Sequence, residues 1–354
     1  MQFPRCSTVN SAASLLRALW LGLGALTALT LGACSREPDV VLYCSLDQMF
    51  SETLVKEFER ESGLTVRAEF DVEAAKTVGL VKRLREESAR PRCDVFWNNE
   101  LAHTVALANE GLLASYDSPS AEGIPEEFRD PQRRWTAFAA RARVFIVNTK
   151  LADPASLTSL EDLFDAKWKG KVCMARPLTG TTLTHLTALF ASEGDAAGEA
   201  LLKRIEESGI SLVQSNGQVM RLVREGQMAW GLTDTDDFNV ALQAGAPVAQ
   251  VFPDQRTTER PQARGALLIP NSVAILANAP HPENARKLVD FILSRQVEEK
   301  LAFAEGAQIP VRADVKRPPH VKSAAELSLM KVDWTRVGAD VERRLQQFKE
   351  RFVQ

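Results

Sequence analysis

Few of the side chains that carry hydrolytic and metal chemistry are present in this chain. Its 354 residues hold four histidines, five cysteines and two tyrosines. His103, His185, His281 and His320 stand apart, and none has a zinc-type spacing to another. No G-x-S-x-G elbow and no Cys–His pairing occurs in the sequence, so no enzyme is expected. A basic stripe is also missing. The 43 Lys and Arg are mixed among 46 acids for a net charge of −3, which argues against nucleic acid as a partner. Repeats of solenoid length and low-complexity linkers are lacking too.

Cysteine usage excludes a full disulfide framework. Cys6 falls in the leader and Cys34 at its end, leaving the odd set Cys44, Cys93 and Cys173. Cys44 lies near the end of one expected strand and Cys93 at the start of another. In parallel strands their Cα atoms would be too far apart to bridge. Buried free thiols are the expectation.

Arg5 and Arg17 are the only charges before Arg36, and an apolar stretch broken by Gly and Thr runs from Ala18 to Ala33. That is the pattern of an export signal. The segment Leu31-Gly32-Ala33-Cys34 resembles the bacterial lipobox, in which the signal is cut before a cysteine that becomes lipidated. An uncleaved membrane anchor is the alternative. Cleavage after residue 33 leaves about 320 residues with net charge about −5, enough for two medium domains. No second long apolar run follows.

The body alternates strands and helices. Apolar runs at 40–45, 94–97, 143–148, 171–176 and 228–233 read as buried parallel-type strands, and 64–70 as an alternating one. Helical periodicity appears at 48–62, 75–89, 101–110, 183–193, 197–208, 218–225, 238–244, 282–293 and 297–303. Runs at 211–214, 248–252, 265–269 and 272–276 add short strands. The tail 324–354 reads as one helix with Leu327, Met330, Val337, Val341, Leu345 and Phe348 on its apolar face. The class is α/β.

Several stretches carry a resemblance: Val41-Leu-Tyr-Cys-Ser45, Cys93-Asp-Val-Phe-Trp97-Asn-Asn-Glu100, Trp168-Lys-Gly-Lys-Val172, Gly231-Leu-Thr-Asp-Thr-Asp236, Ile269-Pro-Asn-Ser-Val-Ala274 and Ala279-Pro-His-Pro-Glu-Asn-Ala285. In this order the chain resembles the type 2 periplasmic solute-binding proteins of ABC importers, in the branch of ferric-iron, thiamine, phosphonate and sugar-phosphate binders. The resemblance implies two lobes, two mixed sheets flanked by helices, a hinge and an interlobe cleft. It places a signal at 1–33, a lipidated linker at 34–38, lobe one at 39–142 and lobe two at 143–264. Residues 265–323 would return to lobe one and the hinge, and 324–354 form a C-terminal helical segment. It further implies a monomer outside the cytoplasm, anchored through Cys34, that hands a small molecule or ion to a permease and its ATPase. No resident cofactor is required.

Ligands of open α/β sheets sit beyond the C-terminal ends of parallel strands. That rule selects Ser45, Asp47, Asn98, Asn99, Glu100, Arg176, Thr179, Gly180, Thr181, Thr182, Asn216, Asp234, Thr235 and Asp236. Hydroxyls and free N–H groups at 179–182, before an apolar helix, suit an anion, with Arg176 adding charge; a plain helix cap is the alternative. Asp234, Asp236 and Asp237 repel one another and call for a cation, an ammonium group or a nearby Arg. A solvated first turn would also explain them. Trp97 and Trp230, at strand ends, are expected in the core before the cleft. In well-known ferric binders adjacent tyrosines near the position of Thr235 and Asp236 supply phenolates. Here Tyr43 and Tyr116 are the only tyrosines and neither is in that segment. Ferric iron or an iron–anion complex, with Asp234 and Asp236 as metal ligands, is the family-like expectation. A phosphonate, sugar phosphate or other organic anion, or a sensory role on the same fold, is the alternative.

Overall fold

A computed structural model of the chain describes residues 37–71 and 77–353. The expected leader and Cys34, the expected lipidation site, lie outside those residues. Among the described residues, no helix is long and apolar enough to cross a membrane.

Strand β1 (Val40–Cys44) is buried at every position, as a parallel strand covered on both faces must be. It pairs in parallel with β2 (Val66–Phe70) and with β3 (Val95–Asn98). Helices α1 (Gln48–Ser62), α2 (Val78–Glu86) and α3 (Ala102–Asn109) follow these strands, and β4 (Leu113–Ala114) adds a short edge. Gly63 stops α1 with φ of 71°, a left-handed conformation that glycine adopts without a Cβ penalty.

The central element is β5 (Thr136–Asn148), thirteen residues all buried. Its first half pairs with β10 (Leu268–Leu276), and its second half with β8 (Trp230–Asp234) and β9 (Val248–Val251). One continuous strand therefore passes from the first sheet into the second. The periodicity reading starts this strand only at Arg143, because Ala137, Ala139, Ala140 and Ala142 carry little strand preference. Burial between two layers decides instead. The runs 265–269 and 272–276 are likewise not two strands. They fuse into β10, with a register shift between Pro270 and Asn271; proline lacks the N–H that an unbroken ladder needs.

The second sheet continues from β8 in parallel to β6 (Val172–Ala175) and β7 (Ser211–Val213). The strand order is β2-β1-β3-β10-β5-β8-β6-β7, with β4 paired to β10 and β9 to β5 off this path. Helices α4 (Gly180–Glu193), α5 (Asp195–Ser208), α6 (Asn216–Arg224) and α7 (Thr235–Gln243) cover this sheet, and α8 (Pro282–Ile292) and α9 (Arg295–Phe303) follow β10. The outcome is the expected α/β architecture of two lobes, each a mixed sheet with its helices.

The C-terminal segment departs from the sequence expectation. Helix α10 (Trp334–Phe352) starts ten residues later than the pattern suggests. Leu329 forms a bridge with Ala266 instead, so Leu327 and Met330 belong to extended chain. The helix packs on α3 of one lobe and α4 of the other. Cys44, Cys93 and Cys173 are all buried, as expected. Burial pushes the Cys173 thiol up to about 12.

Candidate functional site

Four helices begin around one cavity of about 380 Å³. Each follows a parallel-type strand, and the residues preceding their first turns, Asp47, Thr179, Ser215 and Asp234, all line it. First-turn N–H groups have no partner within their own helix and carry the positive end of its dipole. Such ends favour an anion; Asp47 occupies that of α1 and Asp234, Asp236 and Asp237 that of α7, which leaves those of α4 and α6 for a solute.

Thr179 precedes α4 without a side-chain capping bond, so the plain-cap alternative does not describe it. Gly180, at φ of 57°, makes the tight entry. The hydroxyls of Thr181 and Thr182 are engaged in the wall itself. Thr181 donates to Asp234 Oδ2 at 2.5 Å and accepts from Asn216 Nδ2 at 2.7 Å and Arg143 Nη1 at 3.1 Å. Thr182 donates to Asn216 Oδ1 at 3.2 Å and accepts from Arg143 Nη2 at 3.3 Å. What the cradle offers a solute is therefore backbone N–H groups and the Thr179 hydroxyl.

Among the described residues, the acidic run meets a pair of arginines on β5 that the sequence pattern did not single out. Arg143 Nη1 lies 2.7 Å from Asp234 Oδ1, and both side chains are buried. Arg141 Nε lies 3.0 Å from Asp236 Oδ2. Arg141 also donates to the Asn99 carbonyl and, at 3.3 Å, to Asn271 Oδ1. Burial opposes the Arg141 charge, but Asp236, Asp234, Asp47 and Asp237 outweigh it and raise the pKa above its ordinary value. Alternating arginines in the run Ala140-Arg-Ala-Arg-Val-Phe-Ile-Val147 are the signal that could have found them. Charges spaced two apart in a buried strand need buried partners.

Asp234, Asp236 and Asp237 can each bring a carboxylate oxygen within 4.8 Å of the others. That is compatible with a hard cation, yet Arg143 and Arg141 already neutralise two of them. Asp47 and Asp237 line the cavity as well.

Other candidates are placed elsewhere. Arg176 is exposed and does not line the cavity. Of the β3 loop, only Asn99 reaches it. Ser45 and Asn98 belong to a buried network, with Ser45 Oγ 2.7 Å from Asn98 Oδ1. Glu100 lies fully buried behind the wall. The Thr235 hydroxyl turns into the hinge and accepts from Ala142 N at 3.2 Å. Trp97 packs at a tilt against Phe138, and Trp230 against Phe145, in the two cores. Tyr43 is buried against Glu87, and Tyr116 binds Asp290. Neither tyrosine lines the cavity.

The chain and its fold are similar to known proteins. Residues 53–328 fit the model of the bacterial extracellular solute-binding proteins. A Salmonella typhimurium periplasmic protein assigned to 2-aminoethylphosphonate binding is 30% identical over 271 residues, covering 75% of this chain and 76% of that one. Iron uptake protein A1 of a Synechocystis strain is 26% identical over 346 residues, covering 90% and 92%. The iron-bound HitA of Pseudomonas aeruginosa superposes with a TM-score of 0.77 at 23% identity, over 87% of this chain and 98% of that one. The chain belongs to the bacterial extracellular solute-binding proteins.

Proposed function

We propose that this protein is the exported, lipid-anchored solute-binding component of an ABC importer, and that its solute is a small zwitterion of the aminophosphonate or amino-phosphate class. One observation carries the solute class: the first turns of α4 and α6 line a single cavity together with the acids Asp47, Asp236 and Asp237. The phosphonate would sit on the first turns of α4 and α6. Its ammonium would face Asp47, Asp236 and Asp237. A cavity of about 380 Å³ falls within the ~300–1,000 Å³ usual for small-molecule pockets and exceeds the needs of a bare ion. The relative assigned to 2-aminoethylphosphonate binding supports the same class.

The periplasmic relatives and the leader ending at Cys34 support export and anchoring. Two acyl chains hold a protein on a membrane where one does not. Replacing Cys34 by Ser is expected to release the body into the soluble fraction.

Ferric iron is the second reading, favoured by the clustering of Asp234, Asp236 and Asp237. It lacks the tyrosines, and it sets iron in competition with Arg143 and Arg141 for Asp234 and Asp236. Native mass spectrometry of the protein as purified, together with metal analysis, separates the two. A bound phosphonate or phosphate ester without stoichiometric iron supports the zwitterion. One iron per chain with no organic solute contradicts it.

A further inference from the structure

Glu100 was expected to touch the solute, and the structure gives it a different position. Its carboxylate is fully buried and every contact it makes is with a donor. Within its own lobe it accepts from Ala102 N at 2.6 Å, His103 N at 3.1 Å and Asn98 Nδ2 at 2.9 Å, and pairs with His103 Nδ1 at 2.9 Å. The remaining contact crosses to the other lobe, where the Thr184 hydroxyl of α4 donates to Oε2 at 2.9 Å.

The setting makes that contact more than a local bond. Thr184 follows directly on the α4 turn that walls the cavity, and Asn99, the residue before Glu100, lines the same cavity. The Asn99 carbonyl in turn receives Arg141. Behind this junction α10 packs on both α3 and α4. Its Gly338 lies so close to α3 that an added Cβ would stand 2.5 Å from Val105 Cγ1 and 3.0 Å from Ala106 N. Its Glu342 is 3.8 Å from His103 Nε2 and 2.7 Å from Arg85 Nη1. Burial works to raise the Glu100 pKa, but the His103 charge and the bonds from His103, Asn98 and Thr184 hold it below the ordinary value. A charged acceptor makes the stronger hydrogen bond.

We propose that Glu100 is a positioning residue: through Thr184 it pins the first turns of α4 to the β3 loop across the two lobes, and so sets where the anion cradle stands relative to Asn99 and Arg141. The affinity part of this inference rests on the zwitterion reading, and the pin itself does not.

Hydrogen exchange of the solute-free full chain tests the pin. Thr184→Val removes the hydroxyl and keeps the shape, and Thr184→Ser restores the hydroxyl. The expected result is faster exchange in Thr184→Val confined to peptides covering residues 98–103 and 180–188, returning to wild-type rates in Thr184→Ser. Affinity for 2-aminoethylphosphonate should fall about tenfold in Thr184→Val, the scale of one hydrogen bond to a charged group, and recover in Thr184→Ser. Unchanged exchange in those peptides, or a uniform rise over the whole chain, overturns the pin. If the wild type binds no 2-aminoethylphosphonate, the solute assignment falls and the exchange pattern alone decides.

Discussion

Arg143 and Asp234 form a buried ion pair at 2.7 Å that joins the strand shared by both sheets to the start of α7. Thr181 and Asn216 complete it, each bonding Asp234 Oδ2. The acidic run is thus built into the hinge before any solute arrives.

Removing Asp234 consequently tests the fold as well as the site. Asp234→Ala leaves the Arg143 guanidinium buried without its counter-ion, which is expected to cost about 3–5 kcal/mol. Denaturant unfolding should show a lower midpoint with an unchanged slope. Lost binding in this variant is not evidence of a lost metal ligand.

Thr179→Ala should behave in the opposite way. A helix-capping threonine replaced by alanine typically costs about 1 kcal/mol, but this hydroxyl makes no capping bond. Stability is expected to stay within about 0.5 kcal/mol of wild type, while phosphonate affinity drops several-fold. A stability loss of the usual capping size, with affinity intact, would return Thr179 to a purely structural role.

His185 sets a pH dependence. Burial first, then the charges of Arg143 and Arg264, holds its pKa well below 6.5, so the folded imidazole is neutral. The unfolded chain takes up the proton that the folded chain refuses. Stability from this residue is complete above about pH 6.5 and declines as pH falls below it, by up to about 1.4 kcal/mol per pH unit. His185→Gln should flatten the fall in melting temperature between pH 7 and 5. An identical pH profile in the variant would contradict it.

Gly338→Ala should loosen the C-terminal helix. The new Cβ meets Val105 and the α3 backbone, and overpacking of this kind costs about 1–3 kcal/mol. Thermal unfolding measures it.

Much of this was legible in the sequence because local signals agreed with tertiary demands. Apolar runs such as Val40 to Cys44 leave a strand little choice, and Gly63 ends its helix as its position suggests. The cleft rule brought Asp47, Asn99, the 179–182 turn, Asn216, Asp234 and Asp236 to one cavity. It failed where a residue's environment comes from distant chain. Alanines hid the first half of β5, and Arg141 and Arg143 became site residues only because that strand runs through both sheets. Glu100 and Asn98 sit at the correct strand end, yet α3 and α4 close over them. Sequence position locates a loop, and packing decides which of its side chains face the solute.

The central claim is that one cavity reads both ends of a zwitterion. Calorimetric titration of the purified protein with 2-aminoethylphosphonate, ethylphosphonate, ethanolamine and ferric citrate addresses it most directly. The account predicts one site for 2-aminoethylphosphonate, at least tenfold weaker binding of either single-charge fragment, and no comparable site for iron. Tight binding of ferric citrate with none of 2-aminoethylphosphonate would contradict it.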